Sequence, residues 1–153
     1  YSQILPGGKT MRFNFVLQVK SFITNPSFGQ QLKEPGFYAI SGLAYSGMGR
    51  IAKVMVSADG GKTWGEAALQ GPVHDKAFTR FVMPWRWDGQ PAVLQSRAWD
   101  EAGNAQPLRA DFVAARGETS KPLTNPVAFP NQHYNSLTSW GIDGKGEIKH
   151  VYA

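Results

Sequence analysis

Between Met11 and Phe22 the apolar residues fall on every second position. Phe13, Phe15, Leu17 and Val19 share one face, and Arg12, Asn14, Gln18 and Lys20 lie mostly on the other. Period two with one apolar face predicts a half-buried strand. Ile23-Thr24-Asn25-Pro26-Ser27 is expected to end it, because proline has no donor for a ladder. Two apolar runs follow, Phe37 to Ala44 and Ile51 to Ser57, on either side of a loop with Ser46, Gly47 and Gly49. The second run ends in Ser57-Ala58-Asp59-Gly60-Gly61, a turn sequence whose glycines tolerate positive φ. Trp64 and a short apolar return, Ala67 to Leu69, come next.

The same alternation continues downstream. Ala77 to Met83 predicts a strand stopped by Pro84, and Ala92 to Asp100 a strand ending in the turn Asp100-Glu101-Ala102-Gly103-Asn104. Ala110 to Ala115 is expected to pair after it. Residues 116–132 carry three prolines and little periodicity, so an extended excursion holding at most a turn of helix is expected there. Leu137 to Ile142 and Ile148 to Val151 flank Asp143-Gly144-Lys145-Gly146 as a closing hairpin. Short strands, regular turns and no convincing helical period predict an all-β sandwich.

Composition narrows the function classes. At 153 residues the chain fits one domain with a real core. Sixteen basic against eleven acidic residues give a net charge of +5. The basic residues are scattered without a run, which favours a solvated surface over a nucleic-acid patch. No stretch reaches the length of a membrane-spanning helix, and no leader pattern opens the chain. The start at Tyr1 suggests a mature or fragmentary chain. Zero cysteines exclude internal disulfides, thiolate ligation and a cysteine nucleophile.

Candidate chemistry is sparse. His74, His133 and His150 share no ligand spacing. Asp59, Asp88, Asp100 and Glu101 all sit in turns, where such side chains bond local backbone. Gly60-Gly61-Lys62-Thr63 lacks the earlier glycine and the helix of a phosphate loop. The tryptophans Trp64, Trp85, Trp87, Trp99 and Trp140 suit either packing, the favoured reading, or an exposed platform for sugar or bases. Trp85, Trp87 and Phe81 also exceed what one small core requires, which predicts self-association through a sheet face. Arg50, Asp59 and Trp64 are expected to hold the hairpin, with Gly60 and Gly61 supplying its positive φ.

Two ordered segments are similar to a known family. The run GLAYSGMGRIAKVMVSADGGKTWGEAAL, with Arg50, Asp59, Gly60, Gly61 and Trp64, resembles a segment of the C-terminal dimerisation domain of sulfite-oxidase-type molybdenum oxidoreductases. The run Arg97 to Pro107, with Asp100, Asn104, Gln106 and Pro107, resembles that family's RAxDxxGNxQP signature. The resemblance spans roughly residues 13–151 and implies an immunoglobulin-like β-sandwich. It implies a lead-in over residues 1–12 from a catalytic domain absent here, then a dimerisation domain over 13–153. The runs LPGG, VKSFITNPS, TRFVMPWRWDG and HYNSLTSWGIDGKGEI look like the sulfane dehydrogenase branch of periplasmic sulfur oxidation, which works with a c-type cytochrome subunit.

The resemblance further implies a homodimer, contact with the parent's catalytic domain, and molybdopterin-bound molybdenum in that domain. No cofactor, catalytic residue or metal ligand is expected in this chain, and neither a nucleic acid nor a membrane as partner. The family's tail carries an arginine that helps hold an anionic substrate. Here no arginine follows Arg116, so no residue inherits that role. Tyr134, Asn135 and Trp140 occupy the corresponding place and are expected, with Trp85 and Trp87, at an interface or facing the active site. A stand-alone carbohydrate-binding sandwich is the alternative.

Overall fold

The sequence alternation builds two antiparallel sheets that face each other. The computed structural model describes residues 2–4, 11–13, 16–116 and 135–151. Strands β1 (Ser2–Ile4) and β2 (Met11–Phe13) form a separate two-stranded ribbon. The first large sheet has four strands: β3 (Lys20–Asn25), β4 (Gly36–Tyr45), β8 (Thr79–Trp87) and β7 (Ala68–Gln70), in that order. The second has five: β11 (Ile148–Val151), β10 (Ser139–Ile142), β9 (Ala92–Asp100), β5 (Ile51–Ser57) and β6 (Gly65–Glu66). This is the immunoglobulin-like sandwich that the resemblance implied.

The core lies between the sheets. Ile40, Phe81 and Trp87 from the first meet Val54, Leu94 and Ala98 from the second, all at most 3% exposed. Because side chains alternate, the register fixes which residues turn outward. Gly42 has to be glycine, since a Cβ there would collide with the Phe22 carbonyl and the Phe81 ring. The sheets are joined at Ala67, whose N–H donates to Val54 O at 2.9 Å, so the chain leaves β6 in one sheet and enters β7 in the other.

Four sequence expectations need correction. Met11 to Phe22 is not one strand: β2 belongs to the small ribbon, and the chain re-forms a strand only at Lys20. Between them Leu17 O is occupied by Gly47 N–H at 2.8 Å, a bond to the loop after β4. The strand then runs on through Asn25, because Ile23 is buried opposite Gly42 and Asn25 Nδ2 donates to Ala39 O at 2.9 Å. Pro84 does not stop β8. It pairs with Ala39, and β7 reaches only Arg80–Val82, so its missing N–H faces an open edge. Finally, 109–116 is a helix, α1 (Arg109–Arg116), not a strand. Its alanines favour helix, Asp111 sits in the first turn, and Phe112 is deeply buried. The turn of helix expected in the proline-rich excursion falls on residues outside those described, Arg116 apart.

Candidate functional site

The residues singled out by sequence gather at the two opposite ends of the five-stranded sheet. β5 and β9 pair from Ile51↔Asp100 to Ser57↔Gln95, so the Asp59 turn lies at one end and the Asp100 turn at the other.

At the Asp59 end the side-chain bonding is local, while the turn's backbone is tied to β9, Gly60 N–H donating to Val93 O at 3.1 Å and Val93 N–H to Ala58 O at 3.3 Å. Asp59 Oδ1 accepts from Thr63 N at 2.9 Å and Ser57 Oγ at 2.7 Å, and Oδ2 accepts from the Thr63 hydroxyl. Gly60 and Gly61 take φ of 72° and 91°, and Trp64 Nε1 donates to Gly61 O at 3.0 Å. The Thr63 hydroxyl, the Thr63 N–H and the Ser57 hydroxyl hold the Asp59 carboxyl far below the usual range. Asp59 and Trp64 thus close the hairpin on itself. Arg50 is not part of this turn: its backbone sits at the other end, accepting from Glu101 N at 2.9 Å.

At the Asp100 end the bonds span long stretches of chain. Asp100 Oδ2 accepts from Ser46 Oγ at 2.7 Å, and Oδ1 from Asn104 N at 2.9 Å. Burial pushes the Asp100 carboxyl upward, but the bonds from Asn104, Ser46 and backbone outweigh it and leave it lowered. Arg97 Nε donates to Gln106 O at 2.8 Å, and Arg97 and Lys53 flank the Trp99 ring at 4.9 and 4.7 Å. Pro107 and Asn104 line a pocket of about 320 Å³ with Gln18, Asp111 and Asn135.

Gln106 has no exposed surface. Its Oε1 accepts from Ser21 N at 2.9 Å and Ser21 Oγ at 2.7 Å, and its Nε2 donates to Ser21 O and Ser136 O at 3.2 and 3.3 Å. Two further side chains complete a row along β3. Asn135 Nδ2 donates to Val19 O at 3.4 Å, and Trp140 Nε1 to Ile23 O at 3.0 Å. On the side of β3 away from β4, side chains therefore do what a neighbouring strand would do. The sequence did not reveal this row, nor the buried Ser21, Ser96 and Ser136 around it. The available sign was a polar residue at an inward position of an apolar alternation, such as Ser96 between Leu94 and Ala98.

The remaining candidates separate. Trp87 is 3% exposed and donates to Gln90 O at 2.8 Å, inside the core with Phe81. Two residues expected to drive self-association are thus turned inward. Trp85 is half-buried beside Tyr38, with ring centroids 6.5 Å apart. Asn135 is 3% exposed, and its buried Oδ1 has no partner. Tyr134 lies outside the described residues. None of the five tryptophans is fully exposed and they occupy different faces, so they form no single platform. With no cysteine, and no convergence of three His, Asp or Glu side chains among the described residues, the donor set does not fit a molybdenum group in this chain.

The comparisons agree with this geometry. The barley (Hordeum vulgare) nitrate reductase [NAD(P)H] is 34% identical over 109 residues, covering 61% of this chain and 12% of that protein. The mouse (Mus musculus) mitochondrial sulfite oxidase is 37% identical over 101 residues, covering 60% of this chain and 18% of that protein. The crystal structure of the sulfane dehydrogenase SoxCD from Paracoccus pantotrophus superposes with a TM-score of 0.84 at 36% identity, covering 100% of this chain and 37% of that one. The chain therefore spans only a minor part of these relatives. Residues 12–122, the stretch holding both polar ends of the sheet, match the family model described as the Mo-co oxidoreductase dimerisation domain, and the chain belongs to that family.

Proposed function

We propose that this chain joins two copies of a molybdenum-dependent oxidoreductase of sulfur compounds and seats against their catalytic domains. The observation that carries this reading is the match along the whole chain, at 36% identity, to a sulfane dehydrogenase structure. The internal use of the motif residues supports a scaffold role, because Asp59, Asp100 and Gln106 are occupied by their own chain. Molybdopterin-bound molybdenum belongs, in this reading, to the catalytic domain of the parent. The c-type cytochrome partner and the periplasmic location rest on the sequence resemblance.

The catalytic domain seats on the end that carries Asn104, Pro107 and Asn135, where Asn135 Oδ1 is buried without a partner. The tail over residues 117–153 carries no arginine fork for a small oxyanion, which suits a sulfane sulfur on a larger carrier better than free sulfite.

Light scattering on the full-length parent tests the scaffold role. The intact protein should be dimeric, and deletion of residues 13–153 should give a monomer that keeps its molybdenum. A deletion variant that stays dimeric overturns the assembly role. A rate on free sulfite exceeding that on every carrier-bound sulfane overturns the substrate assignment.

A further inference from the structure

The outer faces of the two sheets differ in kind. On the four-stranded sheet the inward positions Ile40, Phe81 and Trp87 leave their alternates facing out. Phe37 on β4 is 81% exposed, with the Arg86 guanidinium 5.9 Å from its ring centre. Ala39 and Pro84 pair beyond the reach of β7 and are both exposed, and Val82, between Ser41 and Ala68 in register, is half-exposed. Just before β8, Phe78 is 64% exposed against Tyr45, with ring centroids 5.4 Å apart. The charged residues on the outward positions of β4 and β8 are Arg80 and Arg86, with no acidic side chain among them. On the five-stranded sheet the outward positions hold Met55, Gln95 and the Lys53–Trp99–Arg97 stack, where two cations are fixed over one ring.

We infer that the outer face of the four-stranded sheet is where a second copy of this chain docks. This rests on the dimer proposed above and names the surface that forms it. Three observations favour a second copy. First, the family is one of dimerisation domains, so the partner is self-complementary. Second, the open side of β3 is already filled by Asn135, Gln106 and Trp140, which leaves a face rather than that edge for association. Third, the size suffices. Strands of six, ten, nine and three residues make roughly 450 Å² of flat sheet per copy before side-chain relief, and two such faces approach the ~1,000 Å² a specific interface needs.

The test is sedimentation equilibrium of the 153-residue chain and three variants. Ala39→Arg sets like charges against each other across a two-fold contact, and Phe37→Ser removes the most exposed ring. Met55→Arg places a charge on the opposite sheet. The wild type and Met55→Arg should be dimers, while Ala39→Arg and Phe37→Ser should dissociate at least about 30-fold more readily. Far-UV circular dichroism establishes that each variant is folded, and Phe37→Ser decides if Ala39→Arg is not. A dimer unaffected by the face variants, or broken by Met55→Arg, overturns the surface and leaves the dimer standing. A wild type that is monomeric at high micromolar concentration overturns both.

Discussion

The Asp59 and Asp100 turns look alike in sequence and differ in reach. Each places an aspartate at the end of an apolar strand, followed by glycine. The Asp59 side chain bonds only residues between Ser57 and Thr63, and it is exposed. Asp100 is 3% exposed, takes Ser46 from 54 residues away, and adjoins Gln106, which takes Ser21 from 85 residues away. A side chain that bonds its own turn shapes one hairpin. A turn that bonds distant strands fixes how the two sheets sit on each other.

The largest effect should therefore come at Gln106. Gln106→Ala leaves the buried Ser21 N–H and C=O without partners, each costing about 1–3 kcal/mol, so a loss of about 3 kcal/mol or more is expected in urea unfolding. A loss below about 1 kcal/mol would mean that water replaces the side chain and the row along β3 is not binding the sheets together.

Asp100 comes next. Asp100→Ala orphans Ser46 Oγ and Asn104 N, with an expected loss of about 2 kcal/mol. The same site gives a pH signature. Asp59, Asp100 and Asp143 are all lowered from 3.8, so the folded chain binds fewer protons than the unfolded chain in acid. Their contribution is complete above the unfolded value and is lost as pH falls through the lower folded values. Stability should drop below about pH 4, and Asp100→Asn should flatten that slope. An unchanged acid limb would show that Asp100 titrates normally.

The smallest effects belong to the Asp59 turn. Trp64 is half-buried, so Trp64→Ala should cost about 1–2 kcal/mol, below the 3–5 typical of a fully buried indole. Asp59→Ala should lower the melting midpoint only slightly and leave the Asp100 end intact by amide exchange. Faster exchange at Ser21 or Ala98 in that variant would show that the two ends are coupled.

The same contrast explains what could be read in advance. The strands Ile51–Ser57 and Ala92–Asp100 matched residue for residue, because one buried face and a glycine turn specify both register and ends. Pro84 misled because its tolerance depends on β7 ending at Gln70, a fact of topology rather than of local sequence. The 109–116 segment misled because alanine is neutral in an apolar count yet favours helix. Phe81 and Trp87 were visible as apolar but not as inward, since strand phase is settled only by pairing. Gln106 was legible as a motif residue, but not its partners, because nothing in Gln106-Pro107 points 85 residues back to Ser21.

The side-chain row along β3 also bears on how the protein fails. An unpaired strand edge is the usual template on which extended segments of other molecules add without limit, the route to fibres. Here Val19 O, Ser21 N, Ser21 O and Ile23 O are already taken by Asn135, Gln106 and Trp140. Losing Gln106 would expose that template even in molecules that remain folded. Slow, seeded aggregation is then a hazard of this one residue, separable from thermal stability and absent from changes in the Asp59 turn.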